Sequence, residues 1–114
     1  MSVLAAILLV STSLHVTYWP NGQGHMPKRS YTLTCAPAGG TLPHRAAACR
    51  QLARLKAPFA PTPQSTACTQ IYGGPQEARV MGVFRRRLIR ATFNRRNGCE
   101  VERWNRVAFL FPAA

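Results

Sequence analysis

The sequence predicts an α+β fold: an antiparallel β-sheet of about five strands packed against one or two helices, with two disulfides. Several short segments place an apolar residue at every second position, which is typical of strands with one buried face. One segment instead has the apolar period of an amphipathic helix. Four cysteines in 114 residues indicate a single small domain whose modest core is supported by covalent bonds.

The first two strands are predicted in the first third of the chain. Residues 14–19, "LHVTYW", alternate apolar and polar side chains and run into a Pro-Asn-Gly turn signal. Residues 30–35, "SYTLTC", alternate in the same way after a polar loop over 20–29. We therefore expect two antiparallel neighbours, with Cys35 at the end of the second.

The segment that begins at Thr41 has the period of a helix. Thr41 is a candidate N-cap, and Ala48, Leu52 and Leu55 follow at i, i+4 and i+7. This pattern predicts an amphipathic helix of about three turns, which Pro58 ends.

The second half of the chain is predicted to hold three more strands. The proline-rich segment 57–66 indicates a stiff, extended connection. Residues 77–84 and 87–93 are predicted to form two strands around a turn near 82–87. Residues 106–111, "RVAFLF", predict a last, largely buried strand.

The charge balance restricts the classes of function. The net charge of +12 comes from fifteen lysines and arginines against three acidic residues, which indicates either an acidic partner or a solvated basic surface. Acid–base catalysis has only three glutamates and three histidines to draw on, so we do not expect an enzyme. The cysteines include no C-x-x-C pair, so no metal site and no cofactor is expected.

The N-terminal residues have some features of a signal peptide. An eight-residue apolar run from Val3 to Val10 precedes Ser-Thr-Ser but lacks a basic segment before it, and it is too short to span a bilayer. We interpret residues 1–13 as a truncated signal or leader segment and residues 14–114 as the domain. No membrane span is expected.

The cysteines leave the disulfide pairing open, because four cysteines allow three pairings, of which the simplest joins sequence neighbours. Cys68 begins an uncharged segment, "CTQIY", that is followed by Gly73-Gly74-Pro75. By itself this segment also fits an ordinary strand that ends in a disulfide and a turn. The two glycines predict a loosened exit from the segment.

A set of motifs then identifies a family resemblance. In chain order they are "YTLTCAPAGGTLP", "ACRQLARL", "ACTQIY", "RNGCE" and "VAFLF". Their combination resembles the Streptomyces subtilisin inhibitor family from about residue 14 to residue 111. The resemblance implies a secreted, commonly dimeric inhibitor of subtilisin-like serine proteases with disulfides Cys35–Cys49 and Cys68–Cys99.

The resemblance also implies a reactive loop that binds the protease as a substrate does. The bond that the protease would attack is Gln70–Ile71, with Gln70 in the primary specificity pocket. Asn97 matches the family asparagine that braces the loop. Further loop contacts are implied for Ala67, Cys68, Thr69 and Tyr72.

The competing hypothesis is a basic module that binds nucleic acid or another polyanion. Phe84 precedes three arginines at 85–87, and Phe93 lies close to arginines 95–96, as in proteins that stack bases on aromatic side chains. The sequence has no nucleic-acid fold signature, however, and both phenylalanines fall at positions that a small core would claim. Specific nucleic-acid binding is therefore not expected.

Overall fold

Across the residues that the structure describes, five strands form one antiparallel sheet, with two α-helices and a short 3-10 helix beside it. The computed structural model describes residues 12–112. In chain order the elements are β1 (Thr12–Trp19), β2 (Arg29–Cys35), β3 (Gly39–Gly40), α1 (Arg45–Arg54), β4 (Gly74–Phe84), β5 (Arg87–Arg95), α2 (Gly98–Arg106) and the 3-10 helix Ala108–Leu110. The strand order is β3-β2-β1-β4-β5. The predicted α+β class is confirmed.

Alternation along the strands puts the core on one face of the sheet. Leu14, Val16 and Tyr18 of β1 lie opposite Gly82, Val80 and Ala78 of β4 and are all buried. On this face the core also contains side chains from α1, α2 and the C-terminal segment: Leu52, Trp104, Val107, Leu110 and Phe111. The opposite face exposes His15 and Met81, although Thr17 and Trp19 at the end of β1 are also buried there. Over most of the sheet, burial is one-sided, as period-two patterning predicts for an antiparallel sheet.

The first strand begins slightly earlier than predicted. β1 starts at Thr12 rather than at residue 14, and the Thr12 hydroxyl accepts a hydrogen bond from the Arg85 backbone N–H at 3.4 Å. The proposed leader over residues 1–13 otherwise lies outside the described residues.

The predicted start of the first helix is wrong. α1 begins at Arg45, and its N-cap is His44, which has a left-handed backbone and makes no side-chain capping bond. Thr41 instead continues the sheet edge: its N–H donates to the Thr32 carbonyl at 2.9 Å, and its hydroxyl accepts from the Thr32 N–H at 2.9 Å. A threonine hydroxyl serves a sheet edge as well as a helix end, and pairing with Thr32 determines its role here.

The predicted last strand is also wrong. Residues 98–106 form α2, and part of the apolar run that follows it is the 3-10 helix. A short apolar run does not distinguish a buried strand from a buried helical segment, and here Trp104, Val107 and Leu110 are buried at a spacing of three. The fifth strand of the sheet is β3, which pairs with β2.

Both disulfides join neighbouring elements. Cys35–Cys49 links the end of β2 to α1, and Cys68–Cys99 links the segment before β4 to the first turn of α2. The pairing implied by the family resemblance is therefore confirmed.

Two arginines with positive φ form the turn between β4 and β5. Arg85 has φ 49° and Arg86 has φ 68°, the left-handed region that two-residue hairpins of the primed type require. The Arg85 guanidinium donates to the carbonyls of Leu52, Leu55 and Lys56 at 3.0, 2.6 and 3.0 Å. The hairpin tip therefore caps the C-terminal end of α1 with a cation, which the helix dipole favours.

We expect Arg86→Gly to raise the free energy of unfolding by about 0.5 to 1 kcal/mol, because glycine adopts positive φ without a steric penalty. Arg85→Gly relieves the same penalty but removes three hydrogen bonds, so it should lower stability by about 1 kcal/mol or more. Urea unfolding of both variants measures the difference. Equal effects would show that Arg85 does not stabilise the end of α1.

Candidate functional site

The segment between the proline-rich connection and β4 presents apolar side chains to solvent. Residues 66–73 form no regular secondary structure. Ile71 is 64% exposed and Tyr72 is 65% exposed, while Gln70 before them is also exposed. Two neighbouring large apolar side chains outside the core form a surface suited to contact with another protein.

The entry side of this loop is attached to α2 at two consecutive residues. Cys68 is bonded to Cys99 with a Cα–Cα distance of 5.3 Å. The Gly98 N–H donates to the Thr69 carbonyl at 2.9 Å. A side chain at Gly98 would collide with the Thr69 side chain, so the close approach requires glycine. Gly98 was not predicted as a residue of the site, although it lies in the Asn-Gly-Cys motif.

Asn97 is the N-cap of α2. Its backbone is extended, and its side-chain oxygen accepts a hydrogen bond from the Glu100 N–H at 3.0 Å. The Asn97 carbonyl accepts from Val101 N–H at 2.9 Å. By starting the helix here, Asn97 positions Gly98 and Cys99, which contact the loop directly.

The exit side of the loop is attached to the end of β5. The Gly73 N–H donates to the Arg95 carbonyl at 2.6 Å, and Arg95 Nε donates to the Gly73 carbonyl at 3.1 Å. A Cβ atom at residue 73 would lie 2.6 Å from Val101 Cγ2, which is too close. Glycine therefore allows the loop to pass this near to α2. The predicted loosening at the two glycines is therefore wrong: Gly73 is bound to Arg95, and Gly74 begins β4.

A buried arginine holds the proline-rich connection that leads into the loop. Arg103 is 5% exposed and donates to the carbonyls of Ala60 at 2.8 Å and Thr92 at 2.6 Å. It also pairs with Glu100 at 3.4 Å, and Glu100 accepts from the Thr62 hydroxyl at 2.9 Å. Burial lowers the pKa of Arg103 while Glu100 opposes the shift, and an arginine remains charged throughout. The connection is therefore fixed to α2 and β5.

The described residues offer no metal centre. Between residues 12 and 112, no group of three or more His, Cys, Asp and Glu side chains could hold a metal ion. Within the same range, the helices are all too short or too polar to cross a membrane.

The model of the subtilisin inhibitor-like family matches residues 10–96. The chain belongs to this family. The matched region of this subtilisin inhibitor-like chain includes the whole loop over residues 66–73, with Cys68, and it ends just before α2. The family comprises protease inhibitors and not enzymes.

One solved structure that matches is Streptomyces caespitosus sermetstatin, in complex with Bacillus licheniformis subtilisin. It is 28% identical in sequence, with a TM-score of 0.46, and the match covers 90% of this chain and 97% of that chain. No curated protein matches the sequence significantly.

Proposed function

We propose that residues 66–73 are the reactive loop of this inhibitor and that Gln70–Ile71 is its reactive bond. Family membership gives the class of function, which is inhibition of subtilisin-like serine proteases. One observation supports the loop assignment most strongly. The exposed Gln70-Ile71-Tyr72 segment is attached at Cys68, two residues before the bond begins, and at Gly73, two residues after Ile71.

Attachment at both ends explains inhibition in physical terms. A protease binds its substrate as an extended strand, through main-chain hydrogen bonds and side chains in alternate pockets. In this proposal Ala67 and Thr69 pair with the cleft backbone, Gln70 enters the primary pocket and Tyr72 packs on the leaving side. Because the fold has already ordered the loop, little conformational entropy is lost on binding.

The arrangement also slows cleavage. The protease serine oxygen attacks the Gln70 carbonyl carbon and displaces the Ile71 amine, which takes a proton from the protease histidine. The attached amine stays near the acyl-enzyme at high effective concentration, so resealing of the peptide bond competes with hydrolysis by water.

The same proposal includes an extracellular location and a homodimer. Two disulfides in a small domain fit an oxidising compartment. The sheet face opposite the core exposes Met81 at 37% and Leu88 at 88%, apolar side chains that a second copy would cover.

The competing polyanion-binding hypothesis is not supported. Phe93 is 1% exposed, and Phe84 packs edge-on against Phe59 with ring centroids 4.9 Å apart. Neither ring is therefore available as a stacking platform for bases. Arg85 is engaged with the carbonyls at the end of α1.

Incubation of the oxidised protein with subtilisin tests the proposal. We expect stoichiometric inhibition, stronger than inhibition of trypsin, and one slow cut that produces a new N-terminus at Ile71. N-terminal sequencing and intact-mass measurement identify the cut. Rapid cleavage at several positions without inhibition, or a first cut at another bond, would contradict the assignment of the reactive loop.

A further inference from the structure

The Arg95 side chain gives the exit side of the loop a second attachment, which no local sequence pattern predicts. On the entry side, the Cys68–Cys99 bond fixes the chain close to Gln70. On the exit side, the corresponding fixed point is Gly73, which is bound by both the backbone and the guanidinium of Arg95. We infer that Arg95 is a positioning residue that retains the leaving strand after the Gln70–Ile71 bond is cut. This inference rests on the proposed function.

Three contacts fix the guanidinium in place. Nε donates to the Gly73 carbonyl at 3.1 Å, and Nη1 donates to the Asn105 side-chain oxygen at 3.0 Å. The guanidinium carbon also lies 5.8 Å from the ring centre of Trp104, within the range of a cation–π contact. The bond to the Gly73 carbonyl is part-buried, so water competes less with it than at an open surface, while the bond to Asn105 lies at an exposed position.

The contacts act on the segment that matters for resealing. After cleavage, Gln70 is an ester on the protease serine and Ile71 carries a new amine. Resealing breaks the ester bond, forms the Gln70–Ile71 amide and returns a proton through the histidine to the serine oxygen. Only Tyr72 separates Ile71 from the bound Gly73, so a chain of about 7 Å ties the amine to β5. Without the guanidinium, a single backbone hydrogen bond would hold Gly73 at this point.

Arginine is suited to this role because one planar group donates in two directions. A lysine would reach either the Gly73 carbonyl or Asn105 as a point charge and would lose the fixed fork. A methionine keeps much of the apolar stem but donates no hydrogen bond. The matched control is Arg96→Met, because Arg96 is the exposed neighbour and pairs with Glu77 rather than with the loop.

The experiment measures the ratio of cleaved to intact inhibitor at equilibrium with a catalytic amount of subtilisin, approached from both directions. We expect the ratio of cleaved to intact inhibitor to rise about tenfold in Arg95→Met and to change by less than twofold in Arg96→Met. Only Arg95→Met removes the charged hydrogen bond to Gly73, and this loss affects the cleaved form most, because in the intact form the Gln70–Ile71 peptide bond also holds the strand. Arg95→Lys should lie between the wild type and Arg95→Met. Hydrogen exchange at Gly73 N–H, measured without protease, should accelerate in Arg95→Met and stay unchanged in Arg96→Met.

The outcomes separate this inference from the proposed function. If the unmutated chain does not inhibit subtilisin, both are overturned. If it inhibits normally and Arg95→Met leaves the ratio unchanged, only the role of Arg95 is overturned. If Arg95→Met does not fold, Asn105→Ala provides a second test. Asn105 is exposed, so its replacement should not affect folding, and it removes the hydrogen bond that orients the Arg95 guanidinium. We expect this variant to raise the ratio about threefold. An unchanged ratio in that variant would overturn the inference.

Discussion

Replacement of Gln70 by lysine is expected to convert the protein into a strong inhibitor of trypsin, with an affinity gain of about 10⁴-fold. Trypsin has a carboxylate at the base of its primary pocket, and an uncharged glutamine would leave that carboxylate unpaired. A lysine would pair with it at the most buried point of the interface. Because Gln70 is exposed in the free protein, the substitution should leave folding unchanged. Inhibition constants for trypsin and subtilisin measure the effect.

The matched control is Gln64→Lys, which adds the same charge at another exposed glutamine in the proline-rich connection. We expect Gln64→Lys to leave trypsin inhibition within about twofold of the wild type, since an exposed charge outside the pocket contributes little. Two results would contradict the role of Gln70: strong inhibition of trypsin by the unmutated chain, or equal gains from both lysines.

The second large effect is expected on removal of the loop disulfide. Replacing Cys68 and Cys99 by serine opens a closed segment with a sequence separation of 31, which should lower the free energy of unfolding by about 3 to 4 kcal/mol. It also removes the covalent attachment on the entry side, so the folded fraction should be cleaved at Gln70–Ile71 as a substrate. Urea unfolding and the half-life of inhibition report the two effects separately.

The other disulfide provides the control. Replacing both Cys35 and Cys49 by serine removes a disulfide with a sequence separation of 14. This change should lower the free energy of unfolding by about 3 kcal/mol. That bond joins β2 to α1 and does not touch residues 66–73. The folded fraction of this variant should therefore inhibit with its usual half-life. If both double variants are cleaved equally fast at equal stability, the disulfide at Cys68 has no special role in the loop.

Local patterning was sufficient for the part of the fold in which burial is one-sided. β1, β2, β4 and β5 were predicted near their observed positions because every second side chain faces the core. The same signal failed for residues 106–111, because a short run that is apolar throughout has no period. Likewise, Thr41 fits a helix cap as well as a sheet edge, and only its contact with Thr32 decides between them.

The sequence by itself determined the α+β class and, through its motifs, the inhibitor family, and that family implied a loop in the uncharged segment after Cys68. Only the tertiary structure decided how that loop is held. Arg95 and Gly73 are 22 residues apart, and Arg103 and Ala60 are 43 apart, so neither contact leaves a local pattern. Such contacts depend on the strand register of β4 and β5 and on the docking of α2. These in turn depend on packing across the whole core rather than on any one segment.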